Sequence, residues 1–368
     1  MSLKDLCASR SAEEFPNQPL TLKPRSSRRV RRRLLQLLPA LLVLVTVAAQ
    51  AQRYTNIVVF GDSLSDTGND LVLFEAQGIP LPTPITDYTL GRFTDGTDTF
   101  PAATPTYKGV WIEQLAAALP KTPSVLSSRL YPGVGTNFAY GFANTFGGTT
   151  QFTPTTVYVH NVGLQINEYL ATHPRIDEHT LFVVWAGANN IDEAIGEPNA
   201  EQLIVAGALA QIGNVQRLIN AGATQFLVPN LPDLGLVPRV NSVPGESPAF
   251  NQATVLYNET LDAGVSLLPL FNFARHVTIQ KLDVYSLLNT IVADPVTFGF
   301  KDVTNSSQGV PLAPPITPDD FLFWDGLHPT THGHFWVAQA ALRAIEPNGC
   351  LVLEAPGEYA GSPAQGCR

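Results

Sequence analysis

Charge is what this sequence has least of. Only 14% of its 368 residues are Asp, Glu, Lys or Arg, and 45% are hydrophobic; ordinary soluble domains carry roughly 25% charged residues. The formal net charge is −9 even with an arginine-rich N-terminal stretch counted in, so the remainder is more acidic still. Phosphate binding needs a basic face, which argues against nucleic acid as a partner. Cysteine is nearly missing, with three in all. Cys7 lies at the N-terminus, and Cys350 and Cys367 form an even pair suited to stapling a C-terminal tail in an oxidising compartment. There is no internal repeat, no second domain and no late run of alternating strands that would suggest a fused membrane barrel. Nor is there a Gly-x-Ser-x-Gly pentapeptide, the mid-chain elbow of one serine-hydrolase architecture. Proline and glycine, by contrast, are plentiful at 30 and 28. They sit in segments that also carry aromatics, which implies long ordered loops rather than disorder.

The N-terminal stretch has a layout of its own. Arg25, Arg28, Arg29, Arg31, Arg32 and Arg33 precede the apolar run 34–47, and Ala49-Gln50-Ala51 follows it. A charged segment, an apolar segment short for a bilayer and a small-x-small site together predict an export signal cleaved after Ala51. An uncleaved signal anchor is the alternative. Residues 1–51 are therefore expected to be a signal peptide, and 52–368 a single secreted or periplasmic domain with no stable membrane span.

The rest of the chain is organised around Asn56 to Asn69. Ile57, Val58, Val59 and Phe60 form a short continuous apolar run ended by Gly61, the pattern of a strand covered on both faces. The polar residues Asp62, Ser63, Ser65, Asp66 and Thr67 follow at once. In open α/β sheets reactants bind beyond the carboxyl ends of strands, so Ser63 stands where a nucleophile is useful. Far downstream, Asp325-Gly326-Leu327-His328-Pro329 places a carboxylate and an imidazole three residues apart, a spacing that brings both to one side of a turn. A serine hydroxyl needs a base to take its proton, and the base needs a third group to fix its tautomer. Ser63, His328 and Asp325 are those three types.

With these residues in place the sequence resembles the GDSL, or SGNH, family of serine esterases and lipases. Four blocks match in the family's order: Phe60 to Asn69, Gly135 to Gly141, Gly187-Ala188-Asn189-Asn190, and Asp325 to Pro329. The resemblance implies a Ser63-His328-Asp325 triad and an acyl-enzyme mechanism without cofactor or metal. It also implies an oxyanion hole built from the Ser63 N–H, the Asn189 side chain and a glycine N–H of the second block. There the sequence departs from the pattern. Where the family has Gly-Gly, this chain has Gly141-Phe142, so the N–H comes either from Gly141 or from Phe142. If the position requires φ > 0, a bulky side chain is disfavoured there. Within the family, lipase, phospholipase, short-chain esterase and carbohydrate acetylesterase activities all occur; the apolar composition leans to acyl esters. A binding protein that has lost activity is the reading from another class, motivated by Phe142.

Read in order, strands are expected near 57–60, 134–140, 180–187, 225–230 and 277–284. Helices are expected over 110–119, 161–172, 200–221, 250–274 and 332–345. Alternating strands and helices argue an α/β fold, a three-layer α/β/α sandwich on a five-stranded parallel sheet, which the resemblance makes flavodoxin-like. The proline-rich stretch 79–107 reads as a surface loop, and the insertion 97–109 within it reads as a lid element or a solvated excursion. Arg92 and Asp95 line the entrance or are solvated surface. His328, His332 and His334 have a spacing that invites a metal, but Pro329 breaks the run and no Glu stands by as a hydrolytic base. Asn258 and Asn305 begin glycosylation sequons, to be used only in a host that glycosylates.

Overall fold

Strand β1 (Asn56–Gly61) forms where the apolar run predicts it, and four of its six residues are aliphatic or aromatic and essentially inaccessible. The computed structural model describes residues 54–79, 91–95, 109–119, 125–153 and 155–346, all within the unit Gln52–Arg368. The signal segment, residues 97–108 of the insertion, and Cys350 and Cys367 lie outside the described residues.

The described elements are, in order, β1, helices α1 (Asn69–Glu75) and α2 (Trp111–Ala118), the hairpin β2 (Thr149–Gln151) and β3 (Tyr158–His160), α3 (Val162–Thr172), and β4 (Thr180–Trp185). They continue with α4 (Ala188–Ala194), α5 (Ala200–Ala221), β5 (Gln225–Pro229), α6 (Pro238–Asn241), α7 (Ser247–Phe271), β6 (Thr278–Leu282) and α8 (Val284–Ala293). The last are β7 (Asp302–Ser306), β8 (Phe321–Phe323) and α9 (Thr331–Ile345). The central sheet is parallel in the order β1-β4-β5-β6. All six residues of β4 are buried, as an inner strand covered on both faces requires. Helices α2, α8 and α9 pack as one group, and α3, α4, α5 and α7 as another. The result is an α/β fold on a parallel sheet. Each fully buried Val, Leu, Ile or Phe in this core contributes about 1.5–3 kcal/mol before entropy is counted.

The sheet has four strands rather than the five expected, and the reason lies in one side chain. Residues 136–140 do run alongside β1: Val59 N–H donates to Thr136 O (3.0 Å), Phe138 N–H to Val59 O (2.8 Å) and Tyr140 N–H to Gly61 O (3.2 Å). A regular parallel ladder would next use the Gly61 N–H to reach Phe138 O. That N–H instead donates to Gln165 Oε1 (2.9 Å), while Gln165 Nε2 donates back to Gly61 O (2.9 Å). Asn137 Oδ1 also accepts the Ala139 N–H (2.9 Å). The segment lies in a fifth-strand position but its ladder is cut to the single bridge Val59–Asn137. Gly61 is required here, because a Cβ would sit 2.4 Å from Trp185 O on β4.

Candidate active site

The turn after β1 is built by its own polar side chains. Asp62 Oδ1 accepts the Leu64 N–H (3.1 Å). Asp66 accepts the N–H groups of Gly68 (2.8 Å), Asn69 (2.7 Å) and Asp70 (3.1 Å), fixing the start of α1. Asn69, fully buried, donates to Asn137 O (3.0 Å) and Ala139 O (2.7 Å) and accepts from Ser127 Oγ and the Arg129 N–H. Asn137 Nδ2 donates to Ser65 O (2.6 Å) and Trp111 Nε1 to Ser65 Oγ (3.0 Å). The Asn69 and Asn137 bonds tie the serine turn to the 136–140 segment and the Trp111 bond ties it to α2, so Ser63 is held from both sides while only partly buried itself.

Asp325 and His328 reach the same place from the other end of the chain. After β8 the backbone reverses: Trp324 N–H donates to His328 O (2.8 Å) and Thr330 N–H to Leu322 O (3.0 Å). Within this loop Asp325 Oδ1 accepts the N–H groups of Leu327 (2.7 Å) and His328 (2.6 Å), which orients its other oxygen. His328 Nδ1 lies 2.7 Å from Asp325 Oδ2, and His328 Nε2 lies 2.8 Å from Ser63 Oγ. With Nδ1–H donating to the carboxylate, Nε2 is free to accept the serine proton. A hydroxyl, an imidazole and a carboxylate in line at these distances can activate an oxygen nucleophile and later protonate a leaving group.

Two buried acids stand behind the turn. Burial pushes Asp62 up to about 7 and Asp66 up to about 6, although four N–H groups bonding to Asp66 pull it back. Asp70, beside Asp66, is raised well above the usual carboxylate range by burial and by the Asp66 charge.

Residues 57–341 match the family described as GDSL-like Lipase/Acylhydrolase. The chain belongs to this GDSL family. It is 25% identical to Lipase 1 of Photorhabdus luminescens over 83% of this chain and 53% of that protein. To the thermolabile hemolysin of Vibrio parahaemolyticus it is 28% identical over 81% of this chain and 65% of that one. The chain thus spans about half to two thirds of the length of these relatives. Among solved structures, a lipolytic GDSL-family protein of Veillonella parvula matches with a TM-score of 0.39 and 14% identity, covering 78% of this chain and 96% of that one.

In the second GDSL block Gly141 and Phe142 stand in different surroundings. The Gly141 N–H donates to Asp66 Oδ2 (3.2 Å), so it is already engaged. A Cβ on Gly141 would lie 2.4 Å from Asp70 Oδ2 and 2.5 Å from Phe93 Cζ, so this residue is a close-approach glycine. Phe142 has φ 60, a left-handed conformation that glycine adopts freely, and its N–H makes no hydrogen bond among the described residues. Non-glycine residues pay about 1–2 kcal/mol for that conformation. Asn189, at the start of α4 beyond β4, donates through Nδ2 to Ala143 O (2.8 Å), leaving the second amide hydrogen available. Its neighbour Asn190 points away and accepts the Thr145 N–H (3.1 Å).

Ser63, Phe142, Asn189 and His328 line one cavity of ≈170 Å³. Beyond the polar end its walls are mostly apolar, with Val240, Phe250, Leu288, Ile291 and Val337 converging from α6, α7, α8 and α9 and Val237 from just before α6. The ion pair Arg239–Asp192 (2.5 Å) stands among the lining residues.

Arg92 and Asp95 do not line this entrance. Arg92 makes a two-pronged bond to Glu113 on α2, with Nε at 2.8 Å and Nη2 at 2.7 Å. Asp95 is buried and accepts the Thr331 N–H at the start of α9 and the Thr331 hydroxyl (3.2 Å). Its neighbour Thr94 donates to Pro329 O (3.0 Å). Together Thr94 and Asp95 pin the loop that carries His328, a role that nothing in their local sequence announces. His332 and His334 do not line the cavity with Ser63. His332 Nδ1 donates to Asp319 O (2.7 Å) and its Nε2 accepts from Trp336 (3.2 Å), and His334 is fully buried. Among the described residues no group of three His, Cys, Asp or Glu could hold a metal.

Proposed function

We propose that the protein is a carboxylic-ester hydrolase that cleaves acyl esters through a covalent acyl-enzyme. Ser63 is the nucleophile, His328 the base and then the acid, and Asp325 the group that holds the imidazole. The observation that carries this is the unbroken line from Ser63 Oγ to His328 Nε2 and from His328 Nδ1 to Asp325. The Ser63 hydroxyl adds to the ester carbonyl as its proton passes to Nε2. The tetrahedral oxyanion is met by the N–H groups of Ser63 and Phe142 and by the Asn189 amide. The intermediate then collapses, with His328 protonating the departing alcohol, and water repeats the sequence on the acyl-enzyme. Supporting an oxyanion role for Phe142 are its positive φ and its uncommitted N–H.

The apolar walls of the cavity support a hydrocarbon acyl group larger than acetyl. Each methylene buried there is worth about 0.8 kcal/mol. Across p-nitrophenyl esters from acetate upward, kcat/KM is expected to climb by a few fold per methylene until the cavity is filled. A maximum at acetate, or a preference for acetylated xylan, would instead support a carbohydrate acetylesterase. Export is part of the proposal, supported by the arginine-rich segment and the apolar run that follows it. N-terminal sequencing of the exported form is expected to begin at Gln52, and an intact Met1 would rule cleavage out. Among the described residues no helix is long and apolar enough to cross a membrane.

A further inference from the structure

A chain of aromatic rings runs from the core to the catalytic imidazole, and Phe142 is its middle link. Phe74 on α1, fully buried, meets Phe152 edge-on at 5.6 Å. Phe152, the residue after β2, lies against Phe142 with ring centroids 4.2 Å apart. Phe142 meets Phe93 edge-on at 5.9 Å, and Phe93 lies 5.1 Å from the His328 ring. Centroid separations of this size and tilted or edge-on geometry are those of attractive aromatic pairs. The backbone at Phe142 has φ 60, which a phenylalanine leaves readily unless its surroundings over-determine it. Phe152 is itself fixed, because its N–H donates to Val157 O (2.8 Å) and its carbonyl accepts from the Thr155 N–H (2.8 Å) and hydroxyl (2.6 Å).

We propose that Phe152 is a positioning residue for ester hydrolysis: by packing at a tilt against the Phe142 ring it holds the Phe142 backbone left-handed and so aims the Phe142 N–H at the carbonyl oxygen of the substrate. The ring contact replaces what a glycine would supply through conformational freedom. Without that contact Phe142 relaxes toward φ < 0 and its N–H turns away from the oxyanion. Phe93 carries the same chain onward, lying between the Phe142 ring and the His328 ring. This rests on the hydrolase assignment above.

The test compares wild type, Phe152→Ala and the double variant Phe142→Gly/Phe152→Ala on one p-nitrophenyl ester. An oxyanion donor acts in the transition state, so Phe152→Ala is expected to lower kcat tenfold or more, up to the roughly 10²–10³ of a lost donor, with KM little changed. Glycine adopts the left-handed conformation without a clamp, so the double variant is expected to recover most of that loss despite losing a second ring. Phe152 acting only as core filler predicts the reverse order, with the double variant the worse of the two. An unchanged kcat in Phe152→Ala, or no recovery in the double variant, overturns the proposal while leaving the hydrolase assignment standing. Absence of turnover in wild type overturns both. Phe152→Leu, which keeps an apolar filler against Phe74, serves the same comparison if the alanine variant does not fold.

Discussion

At the scale of single residues, the site depends on small polar groups whose partners are almost all backbone. Asn189 shows the pattern: one amide hydrogen anchors to Ala143 O and the other is the one proposed to meet the oxyanion. Replacing it by alanine removes a donor that counts only when negative charge develops. Asn189→Ala is therefore expected to lower kcat by roughly 10²–10³ with a smaller change in KM, measured by steady-state kinetics on a chromogenic ester. An unaltered kcat would remove Asn189 from the oxyanion hole. The triad types at 63, 325 and 328 were legible in the sequence because each lies inside a short contiguous block. The role of position 142 was legible only as a question. The contacts that bear on it, Gly141 bonded to Asp66 and the ring of Phe152 packed against Phe142, lie outside any local window. Asp95 was misread for the same reason, since the N–H it caps belongs to Thr331.

At the scale of elements, continuous apolar runs announced β1, β4 and β5, and the stripe through Ile204, Ala208, Val215 and Ile219 announced α5, which ends at Gly222 in a left-handed cap. The expected fifth strand failed because Gln165, on α3, takes the bond that would have extended it. The short pairs β2–β3 and β7–β8 passed unread, being only three to five residues long. Helix α9 carries a testable consequence of its packing. Burial pushes His332 down to about 4 and His334 to about 3 from an ordinary 6.5, so both are neutral in the folded protein. An unfolded chain takes up the proton that the fold refuses, so this contribution to stability is complete above pH 6.5 and is lost as pH falls toward 4. The raised carboxyls work in the opposite sense, their contribution being complete below about 3.8 and lost as pH rises through 6 to 7 for Asp66, Asp62 and Asp319. His332→Gln isolates one histidine from that balance. Urea unfolding from pH 7 to 4 is expected to show a stability difference between wild type and variant that shrinks by up to about 1.4 kcal/mol per pH unit. A difference independent of pH would mean that His332 takes up its proton as readily in the fold as in the unfolded chain.

At the scale of the whole molecule, the parallel sheet gathers residues from distant parts of the chain because each strand releases the chain at its carboxyl end, so the segments that follow the strands meet along one edge. The turn after β1 delivers Ser63, the irregular segment beside β1 delivers Phe142, the turn after β4 delivers Asn189, and the loop after β8 delivers Asp325 and His328. The α/β class and the order of these deliveries could be read from the alternation of strands and helices. The apolar cavity could not, since its walls come from four helices with no common motif. Everything proposed about function passes through the Ser63 hydroxyl, and active-site labelling tests it most directly. A fluorophosphonate probe incubated with the protein, followed by peptide mapping, is expected to modify Ser63, and Ser63→Ala is expected to stay unlabelled and inactive on esters. A folded wild-type protein that takes up no label, or a Ser63→Ala variant that labels and turns over as wild type does, would contradict the triad.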